Sequence, residues 1–422
     1  MDAAHFFGSP GLSMAWFYKL TGARPDVLKD PAMYEMFERG VRGGMTFVNI
    51  HEATADSSDP EKRHHLAYID ENNLYGNCMR QMMPYSDFQW LSDKECTNYI
   101  TNAGLETFDT EGELGFLAEV DLEYPPEVQD TTLDLPLAPE AGSIHEEQLS
   151  PYMKHLWVHY YGSRPYHGTQ KLLLTHQPKQ RYIVHSRALV YYVQRGLRIT
   201  HCHRCIFFQQ RAFMKDYVDY HTAQRSQATT ASKKNLHKYM VNSLFGKTME
   251  DVRRHQQRRV THSPSILFRN ASSPLCEAVM PIGEETVVVT MRKTSVLLNK
   301  PIFIGQCILD TSKIIMYRLL NQLKEHPVLS KVELIGGDTD SFFLRFQSPL
   351  PLEDVWRSMP NFDSSNYPPT HPLHSNTNKA RLGCFKDEAC GRHITSFVAL
   401  SPKMYSFVVD NDTSQLNNKV KG

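Results

Sequence analysis

Two acids separated by one residue, Asp338 and Asp340, lie in the stretch Gly336-Gly337-Asp338-Thr339-Asp340-Ser341. Lys331-Val332-Glu333-Leu334-Ile335 precedes it and Phe342-Phe343-Leu344-Arg345-Phe346 follows. Two β-prone apolar runs around a short polar tip predict a β-hairpin. Residues two apart in an extended segment face the same way, so the two carboxylates are expected to point together. Like charges held that close repel, and such a pair calls for a cation. Gly, Asp, Thr and Ser are also ordinary turn residues, so the hairpin alone leaves a plain turn equally open.

A third acid has a comparable setting. Leu66-Ala67-Tyr68-Ile69 reads as a short strand ending on Asp70. Glu71-Asn72-Asn73-Leu74-Tyr75-Gly76 reads as a turn entering a helix through Met83. A carboxylate at a strand's C-terminal end, before polar turn residues, is a frequent place for chemistry, although solvated acids stand there too. Between these acids a helix is predicted over residues 233–246. Lys234, Lys238, Asn242 and Phe245 recur at i, i+4, i+8 and i+11 and share one stripe. The plain reading is a wet helix face. The alternative is an anionic ligand that carries a ring, with lysines for phosphate and the aromatic for a base or sugar. Placed side by side on one sheet, Asp70 and the hairpin acids form a cage for two divalent ions about 3.5–4 Å apart. With Lys238 beside them, the set suggests nucleotidyl transfer.

The elements that must position these residues are read in order. The 422 residues allow two or three domains or subdomains. Hydrophobic content of 41% and charged content of 22% fit a globular protein. No run of about 18 apolar residues occurs, so no membrane span is expected. The N-terminus lacks a signal-peptide pattern, and eight scattered cysteines suggest reduced thiols in an intracellular, non-secreted protein. Net charge is zero, which speaks mildly against nucleic-acid binding, yet Arg253-Arg254, Arg258-Arg259 and Lys179-Gln180-Arg181 with Arg187 leave room for local basic surfaces.

A helix is expected over residues 32–39, broken by Gly40-Val41-Arg42-Gly43-Gly44, and a His-rich loop over 51–65. Residues 116–124 alternate with period two and put Glu119, Asp121 and Glu123 on one face, the pattern of a half-exposed edge strand. Prolines at 125, 126, 136, 139 and 151 mark a loop-rich insertion. Residues 186–250 read as helical, with Ser186 as a cap. His201-Cys202-His203-Arg204-Cys205 is too tight for a tetrahedral zinc site. Strands are expected over 286–290 and 295–298, a helix over 302–323, a loop over 349–380, and strands around Pro402-Lys403-Met404-Tyr405.

Taken together, these segments resemble the catalytic part of a family B DNA polymerase, of the protein-primed branch found in viruses, linear plasmids and virus-like mobile elements. Asp70-Glu71-Asn72-Asn73-Leu74-Tyr75-Gly76 resembles the first palm motif, Asp-x-x-Ser-Leu-Tyr-Pro. Lys238-Tyr239-Met240-Val241-Asn242-Ser243-Leu244-Phe245-Gly246 resembles the fingers motif, Lys-x-x-x-Asn-Ser-x-Tyr-Gly. Gly337-Asp338-Thr339-Asp340-Ser341 matches the second palm motif. Lys403-Met404-Tyr405 is similar to the Lys-x-Tyr motif near the thumb, and Val41-Arg42-Gly43-Gly44 to the Tyr-x-Gly-Gly segment that joins exonuclease to polymerase. The motifs keep the family's order and span nearly the whole chain.

The resemblance implies an α+β fold of right-hand architecture, with an antiparallel-sheet palm and helical fingers. It divides the chain into a linker (1–65), palm (66–110), an insertion that would bind a terminal protein (111–185), fingers (186–250), palm (251–348), and palm leading into a truncated thumb (349–422). An exonuclease domain and most of a thumb are expected to be missing. By position, Asp70 and Asp340 would ligate two Mg²⁺ (or Mn²⁺) ions, with Asp338 supporting or sharing a metal. Lys238 and Arg225 would contact the incoming triphosphate, and Asn242 and Phe245 the nascent base pair. Tyr75 would exclude a 2′-hydroxyl, backbone amides of 72–74, including Asn73 and Leu74, would cradle phosphate, and Gly43, Gly44, Lys403 and Tyr405 would touch DNA. The implied partners are primer-template DNA, deoxynucleoside triphosphates and a terminal-protein primer; the implied role is DNA replication of a virus-like or mobile element, nuclear if host-encoded. The alternatives are an inactive polymerase relic that binds nucleic acid and, last, a two-metal nuclease. Departures from the motifs are Asn73 for serine, Gly76 for proline, Phe245 and Val41 for tyrosine, and Gly336 where an aromatic or threonine is usual, which is expected to loosen the hairpin.

Overall fold

The computed structural model of the chain describes residues 2–56, 63–410 and 417–420, the last as backbone only. The helix Ile302–Lys324 is the centre of the molecule. It is buried nearly all round, with 18 of its residues covered, and its buried polar side chains find partners: Gln306 donates to Asp310 at 2.7 Å and Lys313 to the Arg42 carbonyl oxygen at 2.9 Å. It is packed by the helices Pro31–Arg39, Leu74–Met79, Ser186–Gln194 and Ala231–Thr248 and by strands of two different sheets, Met83–Trp90, Lys179–His185 and Ser330–Asp338. The fold is α+β.

The first of these sheets carries the acids. Its order is Thr46–Val48, Ser330–Asp338, Ser341–Gln347, His64–Glu71, Ile394–Ser401, Met404–Val409 and Asn417–Val420. The short strand Phe385–Asp387 also pairs with the C-terminal end of His64–Glu71. Apart from a parallel pair between Phe362–Asp363 and Phe385–Asp387, the pairing is antiparallel. The second sheet runs Met83–Trp90, Arg198–Arg211, Leu114–Glu123, Lys179–His185. A three-stranded sheet (Gln256–Thr261, Val287–Arg292, Cys276–Pro281) stands apart and leaves Val260, Val279 and Met280 exposed. Helices Ser9–Thr21, Lys215–Gln227 and Ala231–Thr248 pack together, the last of them also against the central helix. Among the described residues no helix is long and apolar enough to cross a membrane.

Several sequence expectations are met. The hairpin is Ser330–Asp338 with Ser341–Gln347, the early helix is Pro31–Arg39, and the lysine-bearing helix is Ala231–Thr248. Others are corrected. The helix after Asp70 ends at Met79 rather than Met83, because Pro84 biases its predecessor to extended backbone and Met83–Trp90 is a strand. Residues 51–65 contain the strand Glu52–Thr54 and the start of His64–Glu71; positions 57–62 of the expected loop lie outside the described residues. Residues 186–250 are not helical throughout: His201 to Cys205 lie within the strand Arg198–Arg211. The helix from Ser186 is capped by His185, whose side chain accepts from the Arg187 amide. Residues 295–298 form no strand, since β-prone side chains need a neighbouring ladder, and 349–380 includes the helix Leu352–Arg357.

The strand Leu114–Glu123 is interior to its sheet, not an edge. Glu119 is fully buried there because Arg39, Arg181 and Arg204 lie 3.5, 3.1 and 2.5 Å from its carboxylate. A buried charge persists when paired and hydrogen-bonded.

Gly336 does not loosen the hairpin. It and Gly337 are paired on both sides, to Val48 and Phe47 in one strand and to Phe343 and Phe342 in the other. A Cβ on Gly336 would stand 2.9 Å from the Phe47 carbonyl oxygen. The glycine admits a close third strand.

Candidate active site

Strand register brings the acids together. Ser341 pairs with Asp70, so Asp340 at the hairpin tip stands beside the end of His64–Glu71. The Glu71 amide donates to the Asp340 carbonyl oxygen at 2.7 Å. Thr339 has a positive φ of 67°, rare for a β-branched residue, and its amide donates to the Met45 carbonyl oxygen at 2.8 Å. That left-handed residue breaks the extended alternation. The two tip acids therefore do not point together: Asp340 faces a cavity of about 530 Å³ shared with Asp70, while Asp338 accepts from Lys403.

The same cavity is lined by Asn73, Leu74 and Tyr75 from the turn after Asp70, and by Arg225, Lys234, Lys238 and Asn242 from the helical layer. The i, i+4, i+8 stripe thus faces the acids, while Met240 and Leu244 on the other side of that helix are buried. Ser13 anchors it by donating to the Met240 carbonyl oxygen at 2.5 Å. Phe245 packs against Tyr75 at 4.4 Å between ring centroids, and the two rings form one wall. Asn73 takes the left-handed conformation, which Asn tolerates. Its side chain lies where a Cβ on position 76 would be, so Gly76 and Asn73 depart from the motif as a pair.

Burial raises the Asp70 carboxyl to about 7; Lys386 opposes the rise and Asp340 adds to it. Burial likewise raises Glu71 to about 8 and Tyr75 to about 12. Desolvation pulls the Arg225 guanidinium below its usual range. Two converging carboxylates that lack enough positive charge favour a bound cation.

Other expected contacts are placed differently. The Asn72 amide donates to the Cys384 carbonyl oxygen at 2.8 Å, so it is not part of a phosphate cradle. Gly44 lies against Thr339, with an added Cβ only 2.5 Å from Thr339 Cγ2; Gly43 has open space around it. Tyr405 is buried behind the hairpin, with its hydroxyl 2.8 Å from that of Tyr68 and its ring edge on Phe343. It braces the sheet rather than presenting a surface to DNA.

Sequence reasoning missed Lys379, Lys386 and Glu388, which line the cavity, and Asp363, which also lines it while accepting from Asn72 at 2.7 Å. Lys386 lies 3.2 Å from Asp70 and 2.5 Å from Glu388. The alternation Lys386-Asp387-Glu388 was the one available signal, and it meant nothing until register set Lys386 opposite Asp70.

Among the described residues no group of three or more His, Cys, Asp or Glu is disposed to hold a metal ion. Mg²⁺ is commonly held by one or two carboxylates together with substrate phosphates, and the oxygen donors of Asp70 and Asp340 fit that pattern.

The structure is similar to that of phi29 DNA polymerase in an orthorhombic crystal form, with a TM-score of 0.58 and 14% identity over 100% of this chain and 58% of that one. It is also similar to phi29 DNA polymerase complexed with primer-template DNA and incoming nucleotides (TM-score 0.57, 15% identity, 99% of this chain and 58% of that one) and to the same enzyme with single-stranded DNA (0.53, 14%, 99% and 57%). The chain spans somewhat under three-fifths of the length of these neighbours. The family described as DNA polymerase type B, organellar and viral, matches residues 7–256, more than half of the chain, and the chain belongs to that family. Comparison with curated proteins gave no match.

Proposed function

We propose that this chain carries the catalytic core of a DNA-directed DNA polymerase. A primer 3′-hydroxyl attacks the α-phosphate of a deoxynucleoside triphosphate on a DNA template, and pyrophosphate leaves. The observation that carries the reading is the convergence of Asp70 and Asp340 on one cavity with Lys238, Arg225 and Asn242. Carboxylates on one wall and cations on the other are what phosphoryl chemistry needs.

Two divalent ions, Mg²⁺ or Mn²⁺, would supply positive charge to the phosphoryl transfer when bound, and Asp70 and Asp340 would hold them. Asp338, tied to Lys403, supports the hairpin tip. Lys238 and Arg225 neutralise the triphosphate, and Asn242 with the Tyr75–Phe245 wall borders the base and sugar. Tyr75 closes the space that a 2′-hydroxyl would take. Gly43 and Lys403 lie on the primer side. The sheet of acids serves as palm and the helices Lys215–Gln227 and Ala231–Thr248 as fingers. Residues 1–65 are the linker, and the insertion at 111–185 receives a terminal protein as primer. We place the activity in replication of a virus-like or mobile element, inside the cell and in the nucleus if host-encoded.

Primer extension with Mg²⁺ tests the reading. Asp340→Asn is expected to abolish incorporation while primer-template binding stays nearly intact. Undiminished extension by that variant refutes the assignment. A wild-type chain that binds primer-template and extends nothing identifies the inactive relic instead.

A further inference from the structure

We propose that Lys386 is a displaceable counter-ion of Asp70: its ammonium takes the place of a divalent cation at Asp70 Oδ1 and withdraws to Glu388 when the cation binds. The proposal rests on the reading of Asp70 as a metal ligand.

Asp70 is flanked on both sides of its strand. Ser341 pairs with it on one side and brings Asp340; Lys386 pairs with it on the other. Paired residues of adjacent strands project side chains to the same face. Glu388 is two residues further along and shares that face with Lys386. Asp340, Asp70, Lys386 and Glu388 all line the cavity.

Lys386 Nζ donates to two carboxylates but not equally. Its distance is 3.2 Å to Asp70 Oδ1 and 2.5 Å to Glu388 Oε1. Glu388 is itself fixed, because its amide donates to the Tyr68 carbonyl oxygen at 2.8 Å. The looser bond, to Asp70, is the one that can be given up while the tighter one keeps the ammonium neutralised. The side chains of Asp70, Lys386 and Glu388 remain 23%, 30% and 29% exposed, so the exchange needs no opening of the core. A divalent ion within about 2.1 Å of a carboxylate oxygen and an ammonium at that same oxygen are like charges in contact. The two therefore compete, and Lys386 sets how readily the site takes a metal.

The test is Mn²⁺ binding without DNA or nucleotide, followed by the electron paramagnetic resonance signal of the free ion. Lys386→Met is expected to bind Mn²⁺ at least about five-fold tighter, the effect of one unit charge near 4 Å even in water-like screening. Lys386→Arg keeps the charge and stays close to wild type. Unchanged or weaker binding by Lys386→Met overturns the proposal. Asp70→Asn is run alongside. If it binds Mn²⁺ as the wild type does, the metal reading of the acids fails instead, and the counter-ion idea falls with it. A second measurement needs no variant at the lysine. Reductive methylation of Lys386 in the wild-type chain, read by mass spectrometry, is expected to accelerate when Mn²⁺ is added. A lysine that merely ties down the short strand reacts at an unchanged rate, and that result also overturns the proposal.

Discussion

Gly44→Ala is a small change with a large expected effect on the hairpin tip. A Cβ at position 44 would stand 2.5 Å from Thr339 Cγ2, 2.7 Å from its Oγ1 and 3.0 Å from its Cβ. Ordinary contact begins near 3.4 Å, so Thr339 must retreat by almost 1 Å. Thr339 has little freedom to do so. Its amide is bonded to the Met45 carbonyl oxygen, its φ is 67°, and it joins Asp338 to Asp340. The strain is expected to cost about 1–3 kcal/mol in stability. A displacement of about 1 Å at an acid that must face Asp70 is expected to lower the extension rate roughly 100-fold. Thr339→Gly removes these three atoms and suits the positive φ. The double variant Gly44→Ala/Thr339→Gly should therefore recover most of both losses. Thermal unfolding and single-turnover primer extension on the four proteins of this cycle measure the coupling. If Gly44→Ala extends primers normally, the steric account is wrong; if it is impaired and Thr339→Gly rescues nothing, Gly44 acts through DNA instead.

Gly336→Ala is expected to destabilise by about 1–3 kcal/mol, because its Cβ would stand 2.9 Å from a backbone oxygen that cannot move aside; a denaturant midpoint equal to that of the wild type contradicts the close third strand. Lys238→Ala should weaken use of the incoming nucleotide, with a rise in apparent KM of roughly ten-fold or more from the loss of a charged contact. Equal loss of primer-template affinity in a gel-shift assay would point to DNA rather than triphosphate. His185 is fully buried, and burial, with Arg187, lowers its pKa to about 3. The unfolded chain takes up that proton near pH 6.5 and the folded chain only near pH 3, so the contribution of neutral His185 is complete above about 6.5 and is lost as pH falls toward 3. His185→Asn keeps a capping side chain but does not titrate. Its stability should fall less steeply between pH 6.5 and 4, and parallel melting curves would exclude the histidine as a source of acid sensitivity.

Much of the site was legible because its signals are local. A β-hairpin announces itself by two apolar runs around a polar tip, and a helical stripe by spacing alone. Lys234, Lys238 and Asn242 face the cavity as that spacing requires, and Phe245 meets Tyr75 one turn further on. The order of motifs carried the family, which the match over residues 7–256 supports.

What could not be read depends on partners distant in sequence. Period-two alternation placed Glu119 on a wet face; Arg39, Arg181 and Arg204, brought from three other segments, let it be buried. The same alternation paired Asp338 with Asp340, and one left-handed residue, braced by Gly44 and Met45, separated them. By sequence Gly336 is a weak point in a hairpin; the third strand paired against it makes the missing side chain a fit. Lys386 carries no signal beyond its alternation with Glu388, since its meaning lies in standing opposite Asp70 across a strand pair. By itself the sequence determined the kinds of element, the two carboxylates and the cationic helix, because backbone geometry fixes which neighbours along a chain share a face. Only the tertiary structure decided which acid faces the cavity and which cation answers it, because strand register and chain crossings bring together charges that the chain keeps hundreds of residues apart.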